Sequence, residues 1–169
     1  LRLWTASIVD IRRARIEDLP AIKTVLAMTW HDTYASLLCE ASIAKVAAQW
    51  HSPAVLEAEI NSASTFPGVA KDIACGIVGM ITAHSHGEVL SVARLYVVPE
   101  FQRQGVGKRL MEESCRAFPQ TKRVTLDVEK RNPKGRAFYR KLGFEEVGVK
   151  SDNVAGTRLD SIMMEKHIA

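Results

Sequence analysis

The chain has 169 residues, enough for one core and short for two, and its 47% hydrophobic and 25% charged content is that of a packed globule. No apolar stretch approaches the roughly 18 residues that a membrane-spanning helix requires, so no membrane partner is expected. A net charge of +4 and a pI near 9.1 favour anionic ligands, a phosphorylated cofactor as readily as a nucleic acid.

The opening Leu1-Arg2-Leu3-Trp4 lacks an initiator methionine, which leaves room for a longer native chain. It is also too short for a signal-peptide core of about 7–15 apolar residues. Cys39, Cys75 and Cys115 are odd in number and show no C-x-x-C spacing, against both a disulfide framework and a thiolate zinc site. The expectation is a cytoplasmic protein with reduced thiols.

Ile8 to Arg13 alternates loosely and predicts a first strand. Ile16 to Met28 predicts a helix, with Leu19, Ile22, Val25 and Leu26 at helical spacing behind the acids Glu17 and Asp18. Thr29 to Ser52 reads as mostly helical, with Ile43, Val46, Ala47 and Trp50 on one face and Pro53 closing it. From Thr65 to Val98 the pattern becomes β: around Val69, then Ile73 to Ala83, then Val89 to Val98, broken at Lys71-Asp72 and at Ser85-His86-Gly87. Gly105 to Phe118 is an amphipathic helix, Val124 to Val128 a short buried strand, and Pro133 to Leu142 a helix with proline at its first position and Gly143 as its stop. Phe144 to Val149 and Leu159 to Glu165 predict two final strands around Asp152 to Gly156. The order predicts a single α+β domain over 1–169 with one mixed sheet.

The segment most informative about function follows the strand Arg94 to Val98. Gln102-Arg103-Gln104-Gly105-Val106-Gly107-Lys108 leads straight into a helix, so unpaired backbone N–H groups meet the positive end of the helix dipole. Glycines at 105 and 107 permit positive φ and close approach of phosphate oxygens, and Arg103 and Lys108 add charge. A P-loop is excluded, because Gln102 stands where its first glycine belongs and Arg109 where its hydroxyl belongs. A dinucleotide fingerprint stays as a rival, since Gly105 and Gly107 fit and Asp127 follows at about the right distance, but Leu110 replaces the third glycine. A glycine-rich helix cap without ligand explains one glycine and not two with flanking cations.

The run Val97 to Leu110 resembles the acetyl-CoA pyrophosphate loop of the Gcn5-related N-acetyltransferases, whose signature is [RQ]-x-x-G-x-[GA] after a strand. The resemblance continues through Thr125 to Asn132 and through Ala137-Phe138-Tyr139-Arg140-Lys141-Leu142-Gly143-Phe144, in family order and spacing. It implies a mixed, mostly antiparallel sheet with splayed central strands flanked by helices. It divides the domain into a first strand and acceptor-side helices (8–62), an acetyl-CoA-binding core (65–144) and C-terminal strands (144–166).

The resemblance also implies roles. The main chain at Leu95, Tyr96 and Val97 pairs with the pantetheine arm, and the amides of Arg103, Gln104, Gly105, Val106, Gly107 and Lys108 hold the pyrophosphate. Asn132 hydrogen-bonds the pantetheine side, Tyr139 protonates the departing thiolate, and a main-chain N–H around Val97 meets the oxyanion. For the base, the position used by the histone-modifying branch is Ser91 here, so that pattern is departed from. The branch acting on protein N-termini places an acid five residues before the asparagine, which is Asp127. Asp127 is the candidate base, against a structural role or a water relay.

Other residues invite weaker readings. His84 and His86 form H-x-H without a third ligand of telling spacing, so no metal is expected. Trp30-His31-Asp32-Thr33-Tyr34 lines the acceptor pocket or packs a helix junction. The basic run Lys130 to Lys141 lacks the aromatic interleaving of a nucleic-acid surface. The expected activity is acetyl transfer from acetyl-CoA to a primary amine, with small amines, polyamines, protein N-termini and lysine all open as acceptors and a homodimer left open as the assembly. A CoA-binding module without turnover and a basic nucleic-acid-binding domain are the rivals.

Overall fold

Side chains alternate along strands, and the sheet's two faces are covered accordingly. The computed structural model describes residues 9–154 and 156–168. It contains β1 (Val9–Arg13), α1 (Leu19–Tyr34), α2 (Glu40–Trp50), α3 (Pro53–Asn61), β2 (Thr65–Asp72), β3 (Gly76–His86), β4 (Val89–Val97), α4 (Val106–Ala117), β5 (Arg123–Glu129), α5 (Pro133–Lys141), β6 (Glu145–Val154) and β7 (Thr157–His167). The strands form one sheet in the order β1-β2-β3-β4-β5-β7-β6. On β4, Tyr96 reaches Trp30 of α1 while its neighbour Val97 lies beside Gly107 of α4, so α1 and α4 cover opposite faces. Val69, Ile81, Leu90 and Leu110 are fully buried in the main core.

All strand pairs are antiparallel except β4 with β5, which is parallel and short: Val89 to Val92 face Arg123 to Leu126. At the same level Ala93 is an extra residue in the β3–β4 ladder, because Thr82 pairs Arg94 and Ala83 pairs Val92. A bulge bends and twists its strand, and β4 leaves β5 at this point. The expected α+β fold with splayed central strands is found.

Several expected boundaries need correction. The helix expected from Ile16 begins with a 3-10 turn at Ile16–Asp18, and α1 then runs on to Tyr34. The single helical stretch over Thr29 to Ser52 is two helices. The chain turns between them so that Leu38 drops into a second cluster with Trp30, Val46 and Leu159. Pro53 opens a helix instead of only closing one: it is the first residue of α3, and the Ser52 hydroxyl accepts from Val55 N–H at 3.3 Å as the cap. Ile73 is 90% exposed and belongs to a turn in which Asp72 accepts from Ala74 and Cys75 N–H at 2.9 and 2.8 Å. β3 extends through His86, so the turn is at Gly87. Ile8 and Ala155, assigned to the first strand and the last turn, lie outside the described residues. No described helix is long and apolar enough to cross a membrane.

A buried ionic cluster ties the helical side to β4. Arg94 Nη1 donates to both oxygens of Glu59 at 2.8 Å, and Nη2 donates to Trp50 C=O at 2.6 Å. Next to it His51 is buried, edge-on to Trp30 at 5.4 Å. Burial, and then the charge of Arg94, hold its pKa down at about 4. The folded state therefore keeps His51 neutral where the unfolded chain, near 6.5, takes a proton, and stability falls as pH drops from about 6.5 towards 4. His51→Phe keeps a ring in place without that proton. Urea denaturation at pH 7.5 and 4.5 is expected to show a smaller acid loss in the variant, by about 1–3 kcal/mol.

Candidate active site

The site begins where β4 and β5 part. Val98 N–H donates to Val78 C=O at 2.9 Å. Alternation along an antiparallel ladder then turns the main-chain groups of Tyr96 to Met80 on β3 and those of Leu95 and Val97 into the gap. Val97 C=O there accepts from Gln102 Nε2 at 2.9 Å. Tyr96 thus contributes its ring: its hydroxyl accepts from Trp30 Nε1 at 2.9 Å, and burial raises the phenol's pKa.

Beyond β4 the chain makes a 3-10 turn at Pro99–Phe101, and Arg103 (φ 58°) and Gly105 (φ 78°) take left-handed backbone before α4. Gln104 Nε2 donates to Glu100 C=O at 2.8 Å and stiffens the loop. Arg109 N–H to Gly105 C=O closes the first helical turn, so the amides of Val106, Gly107 and Lys108 point out of the helix without helical partners. Sequence reasoning gives both glycines to the ligand; the structure divides them. A Cβ on Gly105 meets nothing within 4 Å, whereas one on Gly107 would lie 3.0 Å from Phe138 Cζ. Gly105 supplies the left-handed backbone that leads into α4, and Gly107 lets α5 approach α4.

Asn132 caps α5, its Oδ1 accepting from Gly135 N–H at 2.9 Å, which leaves its amide NH2 as a donor. Tyr139 follows two turns on, edge-on to Phe138 and Phe144 at 5.1 and 5.7 Å. Its hydroxyl makes no hydrogen bond among the described residues. Burial, and secondarily Tyr96, raise its pKa well above that of an ordinary phenol, so the group stays protonated.

On β5, Val124, Leu126 and Val128 are buried under α4 and α5, which turns Thr125, Asp127 and Glu129 to the other face, towards α1. Asp127 is partly exposed there and accepts from Lys150 Nζ at 2.8 Å. That hydrogen bond raises the pKa of Lys150, whose charge is shared with Asp152 at 3.2 Å. Glu129 is a residue that sequence reasoning missed. It is 4% exposed, and its charge helps raise Tyr34, whose pKa is driven up first by burial and then by Tyr96, Glu129 and Tyr139. Period-2 alternation in Thr125-Leu126-Asp127-Val128-Glu129 already places it beside Asp127; nothing local announces its burial.

The remaining candidates fall into place around this centre. Trp30 and Tyr34 stack at 4.2 Å and, with Tyr96, form the aromatic wall facing β5. His84 Nδ1 is paired with Thr65 Oγ1 at 3.0 Å, and no group of three or more metal-ligating side chains occurs among the described residues. In the basic run, Arg131 binds Glu129, and Arg136 and Arg140 bind Glu146.

A splayed parallel pair, outward amides at the start of a helix and a partly buried tyrosine stand together on one α+β sheet. Residues 28–144 match the model of the Acetyltransferase (GNAT) family, and the chain belongs to that family. It is 28% identical over 144 residues to a spermidine N(1)-acetyltransferase of Thermoplasma acidophilum, covering 81% of this chain and 88% of that protein. The crystal structure of the PaiA N-acetyltransferase of Thermoplasma acidophilum in complex with coenzyme A superposes with a TM-score of 0.80 at 25% identity, over 95% of this chain and 99% of that one. The ribosomal-protein-S18-alanine N-acetyltransferase of Escherichia coli shares the fold, with a TM-score of 0.72 at 18% identity over 96% and 95%. The protein is an acetyl-CoA-dependent N-acetyltransferase, and this fold overrules the dinucleotide reading of the glycine loop.

Gly105→Asp places a carboxylate in the open cradle, and aspartate tolerates left-handed backbone better than most residues. Each charge-assisted hydrogen bond lost costs about 1.5–3 kcal/mol, so losing two predicts at least a 100-fold weaker coenzyme A affinity with little change in melting temperature. Calorimetric titration beside a thermal melt measures both; a folded variant of unchanged affinity would remove Gly105 from the cofactor site.

Proposed function

We propose that the acceptor is a small polyamine-type primary amine and that it attacks the thioester directly in a ternary complex. The acceptor class is supported by the 28% identity to a spermidine acetyltransferase over most of both chains. The chemistry rests on one observation above all: Tyr139, a partly buried phenol whose hydroxyl has no hydrogen-bond partner among the described residues, is carried by α5, the helix that packs on the first turn of α4.

The amide cradle from Arg103 to Lys108 takes the pyrophosphate, and Asn132 and the inward main chain of Leu95 and Val97 take the pantetheine arm. The neutral amine nitrogen adds to the thioester carbonyl carbon, and the oxyanion accepts from Val97 N–H. The carbon–sulfur bond then breaks, Tyr139 gives its phenolic proton to the departing thiolate to form the thiol, and the tyrosinate regains a proton from solvent, balancing the one the amine loses. Ordinary thiols and phenols have pKa values of about 8.5 and 10. The amine's proton leaves on the solvent side, where Asp127 is the receiving carboxylate, directly or through water. Its ion pair with Lys150 favours the water route.

Tyr139→Phe keeps the ring packing and removes the hydroxyl. The expected fall in kcat is roughly 10²- to 10⁴-fold, while coenzyme A affinity shifts by no more than about 0.5–1.5 kcal/mol. Steady-state rates and a coenzyme A titration on one preparation check both; turnover within about threefold of wild type contradicts the role.

Asp127→Asn is expected to lower kcat/KM most at low pH, where amines of pKa about 10.4 are almost wholly protonated, with partial recovery as pH rises. A pH–rate profile of the two proteins on spermidine tells proton removal from a structural effect, which would lower the rate uniformly.

A further inference from the structure

Glu129 is the last residue of β5, on the face turned to α1, just beyond the point where β4 has left the strand. Its side chain is 3% exposed. Oε1 accepts from both the main-chain N–H and Nε of Arg131, each at 2.9 Å. Oε2 is sealed from solvent and has no hydrogen-bond partner among the described residues. A buried carboxylate oxygen left without a donor costs about 1–3 kcal/mol or more, so native proteins keep few of them. Among the described residues the cation paired with Glu129 is Arg131, which is half exposed and engages the other oxygen. The charge of Glu129 bears on Tyr34, which packs with Tyr96 in the cluster around Trp30.

We infer that Glu129 receives the ammonium group of the acceptor, with Oε2 accepting one of its N–H hydrogens. An ammonium supplies up to three donors on a compact charge, of which Oε2 takes one, and rings such as Tyr34 and Tyr96 attract its remaining face. A neutral or anionic group at this place would leave the carboxylate uncompensated. The site therefore captures amines that arrive protonated, beside the gap into which Leu95 and Val97 turn their main chain, and the nitrogen loses its proton towards Asp127 or water before it attacks. This rests on the polyamine reading above only for the identity of the amine, not for the presence of a cation.

The test uses the coenzyme A-loaded enzyme, which binds an amine without turning it over. Calorimetry with spermidine, and separately with an alanine-ended peptide, is run on wild type, Glu129→Gln and Glu129→Asp. The expected result is a 10- to 100-fold weaker amine affinity in Glu129→Gln, partial recovery in Glu129→Asp, and coenzyme A affinity within twofold of wild type in both. Under turnover the same loss appears in KM more than in kcat.

Unchanged spermidine affinity in a folded Glu129→Gln overturns the assignment and leaves the polyamine reading standing, as does a parallel loss of coenzyme A binding. If wild type binds the peptide and not spermidine, and Glu129→Gln weakens the peptide, the assignment stands and the polyamine reading falls. If neither amine binds the loaded wild type, both fall. Should Glu129→Gln melt early, Arg131→Ala carries the test, since its side chain is half exposed. Freeing Oε1 is expected to tighten amine binding at least twofold, and a weakening overturns the assignment.

Discussion

After Val92 and Leu126, β4 and β5 no longer satisfy each other's main chain, and everything at the site answers to that separation. Buried N–H and C=O groups seek partners, and a sheet that opens in its middle offers them to whatever enters. The bulge at Ala93 sets the opening's position and turns the inward groups of Leu95 and Val97 to face it. In the protein itself the Gln102 amide occupies Val97 C=O, so the chain partly supplies what an extended ligand would.

The two faces of the opened sheet carry different chemistry. On the α4 and α5 side stand the outward amides of the glycine loop, Asn132 and Tyr139. On the α1 side lie carboxylates and aromatic rings, Asp127 and Glu129 opposite Trp30, Tyr34 and Tyr96. Outward amides and carboxylates thus lie on opposite faces of one sheet. The basic excess of the whole chain hides this, because much of the positive charge near the site is spent on Glu129, Glu146 and Asp127.

Much of the α4 and α5 half of the fold was legible in the residues. Gly105 ahead of an amphipathic helix, Pro133 at a helix start and Gly143 at its end are local signals, and each stands where the pattern puts it. The acceptor half was harder because its determinants are tertiary. The break between α1 and α2 contains neither glycine nor proline; it follows from Leu38 finding Trp30 and Val46. Proline at 53 starts a helix as readily as it stops one, and only Ser52 as cap decides. Asp127 stood out by its spacing to Asn132, yet its partner Lys150 arrives from β6, two strands away in the sheet. Glu129 looked like any polar residue on an alternating strand, since its burial depends on helices far away in sequence.

The contact between Gly107 and Phe138 joins the first turn of α4 and the helix that carries Tyr139 into one mechanical piece. The ring of Phe138 rests on the bare first turn of α4, and Tyr139 is its neighbour on α5, so the hydroxyl's position is fixed by the same turn whose amides form the cradle. A larger residue at 107 would push α5 outward and carry the tyrosine with it, well before it disturbed the loop. Positions 107 and 138 therefore share one space, and a side chain added at 107 has to be answered by a shift of the ring at 138.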